Sequence, residues 1–87
     1  MSYKIVWKRR AKRFLKDLQK QDVARIQEAV EDLADRSPET WRNVIALTKH
    51  VYQYRLRVGD YRVLFDIQKK VEILDVQEVG RRNEQTY

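Results

Sequence analysis

The sequence predicts an α+β domain in which an antiparallel helical hairpin packs on a mostly antiparallel β-sheet. Two patterns predict this class: apolar residues recur with a helical period through residues 10–36, and they alternate as in strands through much of residues 52–79. No repeat, low-complexity segment or linker interrupts the 87 residues. We therefore expect one domain over residues 1–87, with the element order βααβββ.

The N-terminal segment is predicted to form one strand and one helix. Residues 3–8 are β-branched and aromatic, which favours a short strand. Residues 10–20 space their apolar side chains at i, i+3, i+4 and i+7, so they indicate an amphipathic helix with a basic outer face. The apolar positions of this helix are Ala11, Phe14, Leu15 and Leu18.

A second helix, a short turn and a loop are expected next. Asp22 can accept a hydrogen bond from a free backbone N–H and so cap a helix that runs to about Arg36. Ser37-Pro38 ends this helix, because the residue before a proline disfavours helical angles. Ser37 can then cap one turn across residues 39–41, after which loop or turn extends to about Lys49.

Residues 52–65 predict a β-hairpin. Gly59-Asp60 suits a two-residue type II′ turn, since glycine tolerates the positive φ of the first position. This turn sets Val58 opposite Tyr61, Arg57 opposite Arg62, and Leu56 opposite Val63. A last strand is predicted at residues 71–79, where apolar residues of both parities are typical of a central strand.

The predicted pairing of Arg57 with Arg62 is unusual. Like charges directly opposite each other destabilise a sheet, so a chain that keeps both arginines is expected to bring them to an anion. Two solvated arginines that splay apart are the alternative. Gln53 and Arg55 fall on the same face of the first hairpin strand.

The positive charge is concentrated near the N-terminus. The chain carries a net charge of +6, and residues 1–20 hold eight basic residues against one acidic residue. Residues 21–48 hold three basic residues against six acidic ones. Such polarity favours a polyanionic partner, above all nucleic acid. A basic surface that serves solubility or an acidic protein partner is the alternative.

Several kinds of site are disfavoured by the sequence. There is no phosphate-binding glycine loop, no HExxH motif and no cysteine, so no metal and no cofactor are expected. His50, the single histidine, stands near a strand start, where a structural or solvated role is commoner than catalysis. No apolar run suits a signal peptide or a membrane span, and we predict a cytoplasmic protein without a membrane partner.

Arginines are the remaining candidates for chemistry. They are Arg55, Arg57 and Arg62 on one hairpin face, and Arg81 and Arg82 at the expected rim of that face. Guanidinium groups bind phosphate bidentately and stay charged, so they suit phosphate binding and stabilisation of charge at phosphorus. Tyr87 can stack on a base or take part in proton transfer, although an exposed terminal tyrosine often does neither.

The R-V-G-D-Y-R-V hairpin at residues 57–63 and the V-G-R-R ending at residues 79–82 are the most specific segments of the chain. Together with the element order, they resemble the RelE/ParE superfamily of bacterial and archaeal type II toxins. The resemblance spans essentially the whole chain and implies the RelE/ParE-like βααβββ fold. For RelE-type members it implies a metal-independent endoribonuclease that cleaves mRNA in the ribosomal A site, with a 2′-hydroxyl attacking the adjacent phosphate.

The resemblance also implies roles for single residues. The catalytic positions fall on Arg55, Arg62, Arg82 and Tyr87. RNA contacts are expected from Lys8, Arg9, Arg10, Lys12, Arg13, Lys16, Lys49, Gln53, Arg57 and Arg81. The paired lysines of the family fall on Gln53 and Arg55, so one charge is lost and the general base is left open.

The resemblance implies a partner and leaves two other functions open. Type II toxins are held inactive by a cognate antitoxin, whose acidic or amphipathic segment wraps the toxin and covers its basic site. Action on the ribosome and mRNA implies inhibition of translation and growth arrest. A ParE-type toxin that inhibits DNA gyrase and a non-catalytic RNA-binding module are alternatives on the same fold.

Overall fold

The periodic segments of the chain form helices and strands in the computed structural model, which describes residues 2–82. The elements are β1 (Lys4–Trp7), α1 (Arg9–Lys16), α2 (Lys20–Ala34), α3 (Pro38–Trp41), β2 (Val44–Ala46), β3 (Tyr54–Val58), β4 (Tyr61–Gln68) and β5 (Ile73–Arg81). The predicted α+β class is confirmed. Within the described range, no helix is long and apolar enough to cross a membrane.

The strands of the described chain join one sheet in the order β1-β5-β4-β3-β2. β1 runs parallel to β5, and the other neighbouring pairs are antiparallel. β5, which is predicted to be central, lies between β1 and β4. The sheet is therefore mostly antiparallel, as expected, and its edges are β1 and β2.

The β3–β4 hairpin has the predicted register. Arg57 pairs with Arg62, and Val58 pairs with Tyr61. Gly59 takes a φ of +55°, the positive value that the first position of a type II′ turn requires. Glycine adopts this angle without the steric cost that a β-carbon would bring. The two arginines therefore face one another across neighbouring strands.

The predicted cap of the second helix is wrong. α2 begins at Lys20 after Gln19, and among the described residues no side chain caps it. Asp22 lies inside the first turn, where a carboxylate is favourable near the positive end of the helix dipole. Its Oδ2 accepts a hydrogen bond of 3.1 Å from the Tyr61 hydroxyl, so this carboxylate links α2 to the hairpin instead of capping the helix. α1 is also shorter than predicted and ends at Lys16.

The short helix α3 begins as the sequence predicts. The Ser37 Oγ accepts a hydrogen bond of 3.5 Å from the Thr40 backbone N–H, and Pro38 occupies the start of the helix. Trp41 donates its indole N–H to the Leu33 carbonyl at 3.0 Å. These contacts hold α3 against the end of α2.

A strand forms where a loop is predicted. β2 pairs antiparallel with β3, with Val44 opposite Leu56 and Ala46 opposite Tyr54. Three residues carry too little periodicity to predict a strand. β2 forms because the outer edge of β3 presents backbone groups that need hydrogen-bond partners.

Alternate residues of the sheet form two different faces. The core face consists of side chains from β3, β4 and β5 that pack against α2, and it includes Leu56, Val63, Phe65, Leu74 and Val76. We call the opposite side the basic face; it carries Arg55, Arg57, Arg62, Leu64, Gln77, Glu78 and Arg82. Leu64 is only 2% exposed yet lies outside the main apolar cluster, so it forms an apolar floor on the basic face.

A β-bulge in β5 changes which residues reach each face. Leu64 pairs with Glu78, whereas the next residue, Phe65, pairs with Val76, so β5 holds one extra residue at this point. Val76 and Val79 are both buried in the core although their positions differ by three residues. The bulge therefore places two consecutive residues of β5 on the basic face.

Candidate nucleic-acid interface

Four arginines line one concave cavity on the basic face. The cavity has a volume of about 180 Å³ and is lined by Arg55, Arg57, Arg62 and Arg82. β3 and β4 supply the first three, while Arg82 follows the end of β5. Guanidinium groups around so small a space create a strong positive potential and suit bidentate binding of a phosphate. The arrangement is typical of an anion site.

Arg62 occupies the centre of this arrangement. Its neighbours across the strands are Arg57 on β3 and Gly80 on β5. A β-carbon at Gly80 would lie 3.5 Å from the Arg62 Nη2, so the guanidinium lies flat across the position where the glycine has no side chain. Arg62 is only 3% exposed. The sheet thereby holds the planar guanidinium in a fixed orientation at the base of the cavity.

Arg82 is held in the cavity wall by the hairpin turn. Its Nη1 donates a hydrogen bond of 3.2 Å to the Gly59 carbonyl, and its backbone N–H donates one of 2.8 Å to the Asp60 carbonyl. The turn thus positions Arg82, although Arg82 lies 22 or more positions further along the chain. Sequence patterns do not reveal such a contact. Arg82 keeps further N–H groups with which it can bind an anion, because a guanidinium has five.

Cations of α1 extend the basic face beyond the arginine cavity. A second cavity of about 400 Å³ is lined by Lys8, Arg9, Arg10, Arg13, Tyr52 and Gln77. A third, of about 340 Å³, is lined by Arg10, Arg13, Phe14, Asp17, Arg62, Glu78, Val79 and Gly80. Arg62 borders the first and third cavities, and Arg10 borders the second and third. The three cavities therefore form one continuous basic surface.

Two cations of α1 lie apart from this surface. Lys12 and Lys16 border a mostly apolar groove of about 350 Å³ together with Trp7, Leu15 and Val23. The expected row of α1 cations is thus divided between two sides of the helix. Lys8 belongs to the basic side, where its Nζ lies 3.7 Å from the Asp75 Oδ1.

Other predicted site residues are not in the arginine cavity. Arg81 lies over the Tyr61 ring, with Cζ 5.5 Å from the ring centroid, so the expectation that it reaches the rim of the arginine face is wrong. Its position alternates with Gly80, which puts it on the core side of β5. Lys49 is exposed in the loop between β2 and β3, with a φ of +54°. Tyr87 lies outside the described residues.

Gln53 has a structural role in this chain. Its Oε1 accepts a hydrogen bond of 2.8 Å from the Ile67 backbone N–H, and its own N–H donates one of 2.7 Å to the Asp66 Oδ1. These bonds continue the β3–β4 pairing beyond the last regular pair. The Gln53 side chain is therefore directed to the backbone of β4 rather than to the arginine cavity.

Three residues of the basic face are missed by sequence reasoning: Tyr52, Gln77 and Glu78. Gln77 and Glu78 are brought there by the bulge. One signal for the bulge is present in the sequence. The apolar residues of β5 change from even-numbered to odd-numbered positions between Val76 and Val79. Tyr52 precedes β3, so the alternation predicted for a strand does not apply to it.

The fold and the basic face define a small α+β protein that carries an arginine-lined cavity. The family model for the ParE toxin of the type II toxin-antitoxin system parDE matches residues 5–86. The chain therefore belongs to this toxin family, within the RelE/ParE superfamily that its hairpin and C-terminal segment resemble. No curated protein sequence matches the chain.

Solved toxin structures have the same fold. The archaeal RelE–RelB complex of Pyrococcus horikoshii OT3 is 25% identical with a TM-score of 0.78, and the match covers 98% of this chain and 100% of that chain. The RelBE2 toxin-antitoxin complex of Mycobacterium tuberculosis is 26% identical with a TM-score of 0.72, covering 94% and 100%. The isolated E. coli RelE toxin, at 19% identity, a TM-score of 0.70 and coverage of 98% and 89%, shows similarity of fold.

Proposed function

We propose that this toxin is an endoribonuclease that cleaves mRNA in the ribosomal A site, by attack of a 2′-hydroxyl on the adjacent phosphate. The observation that carries the proposal is the cavity lined by Arg55, Arg57, Arg62 and Arg82. Its volume of about 180 Å³ admits a phosphate group with the sugar atoms attached to it. Similarity in sequence and fold to RelE chains supports this choice.

The arginines would act on the charge of the reacting phosphate. When the 2′-oxygen attacks, negative charge grows on the non-bridging oxygens of the phosphorus centre. Arg62, held flat against Gly80, presents N–H donors in a fixed orientation, so little reorganisation is required during the reaction. Arg55 and Arg82 on either side would bind the same phosphate and align it. Tyr87 remains a proposed contributor by resemblance alone.

The second cavity would hold RNA outside the cleavage point. Lys8, Arg9, Arg10 and Arg13 surround it, and Tyr52 adds an aromatic ring. Such a combination of cations and an aromatic ring suits single-stranded RNA or ribosomal RNA, since phosphates and bases are both contacted. Arg57, which lines the arginine cavity, would add a supporting phosphate contact. Lys12, Lys16, Lys49 and Arg81 would add long-range attraction to RNA through their charge.

We also propose that a cognate antitoxin holds the toxin inactive in the cytoplasm until it is released to inhibit translation and arrest growth. The P. horikoshii and M. tuberculosis structures are toxin-antitoxin complexes. A basic face on a chain with a net charge of +6 suits a partner segment that is acidic or amphipathic. Covering the arginine cavity would block access of RNA to it.

Inhibition of DNA gyrase is a second candidate function. The family model that matches this chain describes ParE toxins. In addition, Gln53 stands where RelE-type toxins carry a lysine, and its side chain is engaged by the Ile67 N–H. A gyrase inhibitor needs a binding surface but no general base beside its arginines.

Mapping of mRNA ends separates these functions. The chain is expressed without its antitoxin, and 5′ ends are mapped on translating ribosomes. We expect A-site cuts that are lost in Arg62→Ala and in Arg82→Ala. Lys69→Ala is the matched control, because it also removes one positive charge but lies in the exposed turn after β4, away from the arginine cavity.

Two other outcomes of this experiment would each identify one of the alternative functions. Growth arrest with intact mRNA and accumulation of gyrase-linked DNA breaks would overturn the endoribonuclease proposal in favour of gyrase inhibition. Binding to RNA with neither cleavage nor growth arrest would overturn it in favour of a non-catalytic RNA-binding module.

A further inference from the structure

The β5 bulge places a carboxylate beside the arginines of the basic face. Glu78 pairs with Leu64 of β4, and Leu64 pairs in turn with Arg55 of β3. Glu78 and Arg55 therefore lie on either side of Leu64, one on each neighbouring strand. Their backbones are separated by about 10 Å. A nucleotide lying across Leu64 would contact both side chains. Without the bulge, alternation would turn Glu78 towards the core face.

Glu78 borders the same cavity as Arg62. The Glu78 side chain is 26% exposed, so it is partly shielded and still accessible to a substrate. Within residues 2–82, the charged groups that face it are Arg62 from β4 and, from α1 and its end, Arg10, Arg13 and Asp17. Arg10 Nη1 lies 3.3 Å from the Glu78 Oε1, and the Arg10 side chain is 71% exposed. Ion pairs of such exposure are weak, so Arg10 can exchange this carboxylate for an RNA phosphate.

Two other carboxylates of the basic face are already held by amides. The Asp66 carboxylate accepts hydrogen bonds from the Gln53 backbone N–H and from the Gln77 side chain. Asp75 is 5% exposed and accepts a hydrogen bond from the Gln68 side chain. Glu78 differs from both in bordering a cavity that Arg62 also borders.

We infer that Glu78 is the general base of the proposed cleavage, a role that arginines fill poorly because they remain protonated. The inference rests on the proposed endoribonuclease function. The Glu78 carboxylate accepts the proton of the 2′-hydroxyl as the bond between the 2′-oxygen and phosphorus forms. The bond between phosphorus and the 5′-oxygen breaks, and that oxygen takes a proton from water. The products are a 2′,3′-cyclic phosphate and a 5′-hydroxyl, and the proton on Glu78 returns to solvent.

Substitution of Glu78 tests this role on programmed ribosomes. Single-turnover cleavage of A-site mRNA is measured against pH for the full-length wild type, Glu78→Gln, Glu78→Asp and Glu28→Gln. The last is the matched control, since Glu28 is an exposed residue of α2. Affinity is measured in parallel with mRNA that carries a 2′-deoxy nucleotide at the cut site and therefore cannot react.

Glu78→Gln is expected to lower the cleavage rate by about 100-fold or more, the typical contribution of a general base. Its affinity for the unreactive mRNA is expected to equal or exceed that of wild type, because a negative charge near the phosphate is removed. The wild-type rate should fall at acidic pH, where the base is protonated, and this fall should vanish in Glu78→Gln. Glu78→Asp should recover part of the rate, and Glu28→Gln should behave as wild type.

Arg10→Gln separates a catalytic role of Glu78 from one that only orients Arg10. It breaks the ion pair but keeps the carboxylate, so its cleavage should keep the acidic fall in rate. The inference is overturned if Glu78→Gln cleaves within about threefold of wild type with an unchanged pH profile. The inference is also overturned if Glu78→Gln loses mRNA cleavage and RNA affinity together. Wild type that cuts no mRNA on ribosomes would instead overturn the proposed function, and this inference with it.

Discussion

The two faces of the sheet differ sharply although the same strands build both. On the core face, Phe65 is fully buried. Its ring centroid lies 5.3 Å from that of Tyr54 and 5.9 Å from that of Trp41. On the basic face, Arg57 and Arg62 stand directly opposite each other and oppose strand pairing. One face stabilises the fold, while the other places two like charges opposite each other, which is unfavourable for strand pairing. Stability and the proposed function thus depend on alternate residues of the same strands.

The largest effect is expected from the core face. Phe65→Ala removes the ring that Tyr54 and Trp41 contact, and loss of a buried phenylalanine costs about 3–5 kcal/mol of unfolding free energy. Urea unfolding followed by tryptophan fluorescence measures the loss. Val51→Ala, at a side chain that is 81% exposed, should change the unfolding free energy by less than about 0.5 kcal/mol. A loss below about 1 kcal/mol for Phe65→Ala would contradict the assignment of stability to the core face.

The second-largest effect is expected from substitution of Arg62 on the basic face. Arg62→Ala should lower mRNA cleavage on programmed ribosomes by about 100- to 1000-fold, or roughly 3–4 kcal/mol of transition-state stabilisation. Arg62→Lys keeps the charge but lacks the planar fork, so RNA affinity should fall less than in Arg62→Ala while cleavage stays impaired. Cleavage by Arg62→Ala at the wild-type rate would show that the buried guanidinium does not contact the reacting phosphate.

A smaller effect is expected at the contact between helix and hairpin. Tyr61→Phe removes the hydroxyl that donates to the Asp22 carboxylate at 3.1 Å, which should cost about 1 kcal/mol of unfolding free energy. Asp22→Ala in combination with Tyr61→Phe should cost less than the sum of the two single changes, since each change removes the same hydrogen bond. Full additivity in this double-mutant cycle would argue that the hydrogen bond contributes nothing to stability.

The smallest effect has the opposite sign. Arg57→Gln removes one of two facing like charges, so it should raise the unfolding free energy by about 0.2–1 kcal/mol at low salt. The gain should shrink as salt screens the repulsion. The same variant should bind single-stranded RNA with a salt dependence that is lower by about 0.7 in the log–log slope, if Arg57 contacts one phosphate. Destabilisation by Arg57→Gln would show that the basic face also contributes to folding.

Much of the fold was predictable because it depends on local pattern. The period of apolar residues identified α1, α2 and the hairpin, and Gly59-Asp60 determined the turn and with it the pairing of Arg57 and Arg62. Ser37 capped α3 as its residue type predicts. The C-terminal Tyr87 stays a prediction, since it lies outside the described residues.

The arginine site was predictable only in part. Arg55, Arg57 and Arg62 share a face because alternation along the hairpin puts them there. Arg82 joins them through bonds to the Gly59 and Asp60 carbonyls, which are contacts between distant parts of the chain. Two other long-range contacts were not predictable either. Arg81 lies over the Tyr61 ring, and the Gln53 side-chain amide continues the pairing of β3 with β4.

By itself, the sequence determined the α+β class, the hairpin register and the resemblance to type II toxins, because these follow from periodicity, turn chemistry and local motifs. The tertiary structure alone decided the strand β2, the link from Asp22 to Tyr61, and the cavity that Glu78 and Arg62 both border. Each of these depends on how one strand or helix meets another, and the link from Asp22 to Tyr61 joins residues that are 39 positions apart. Backbone groups at a sheet edge, side chains at a helix end and the register of neighbouring strands acquire their partners only when the whole domain has assembled.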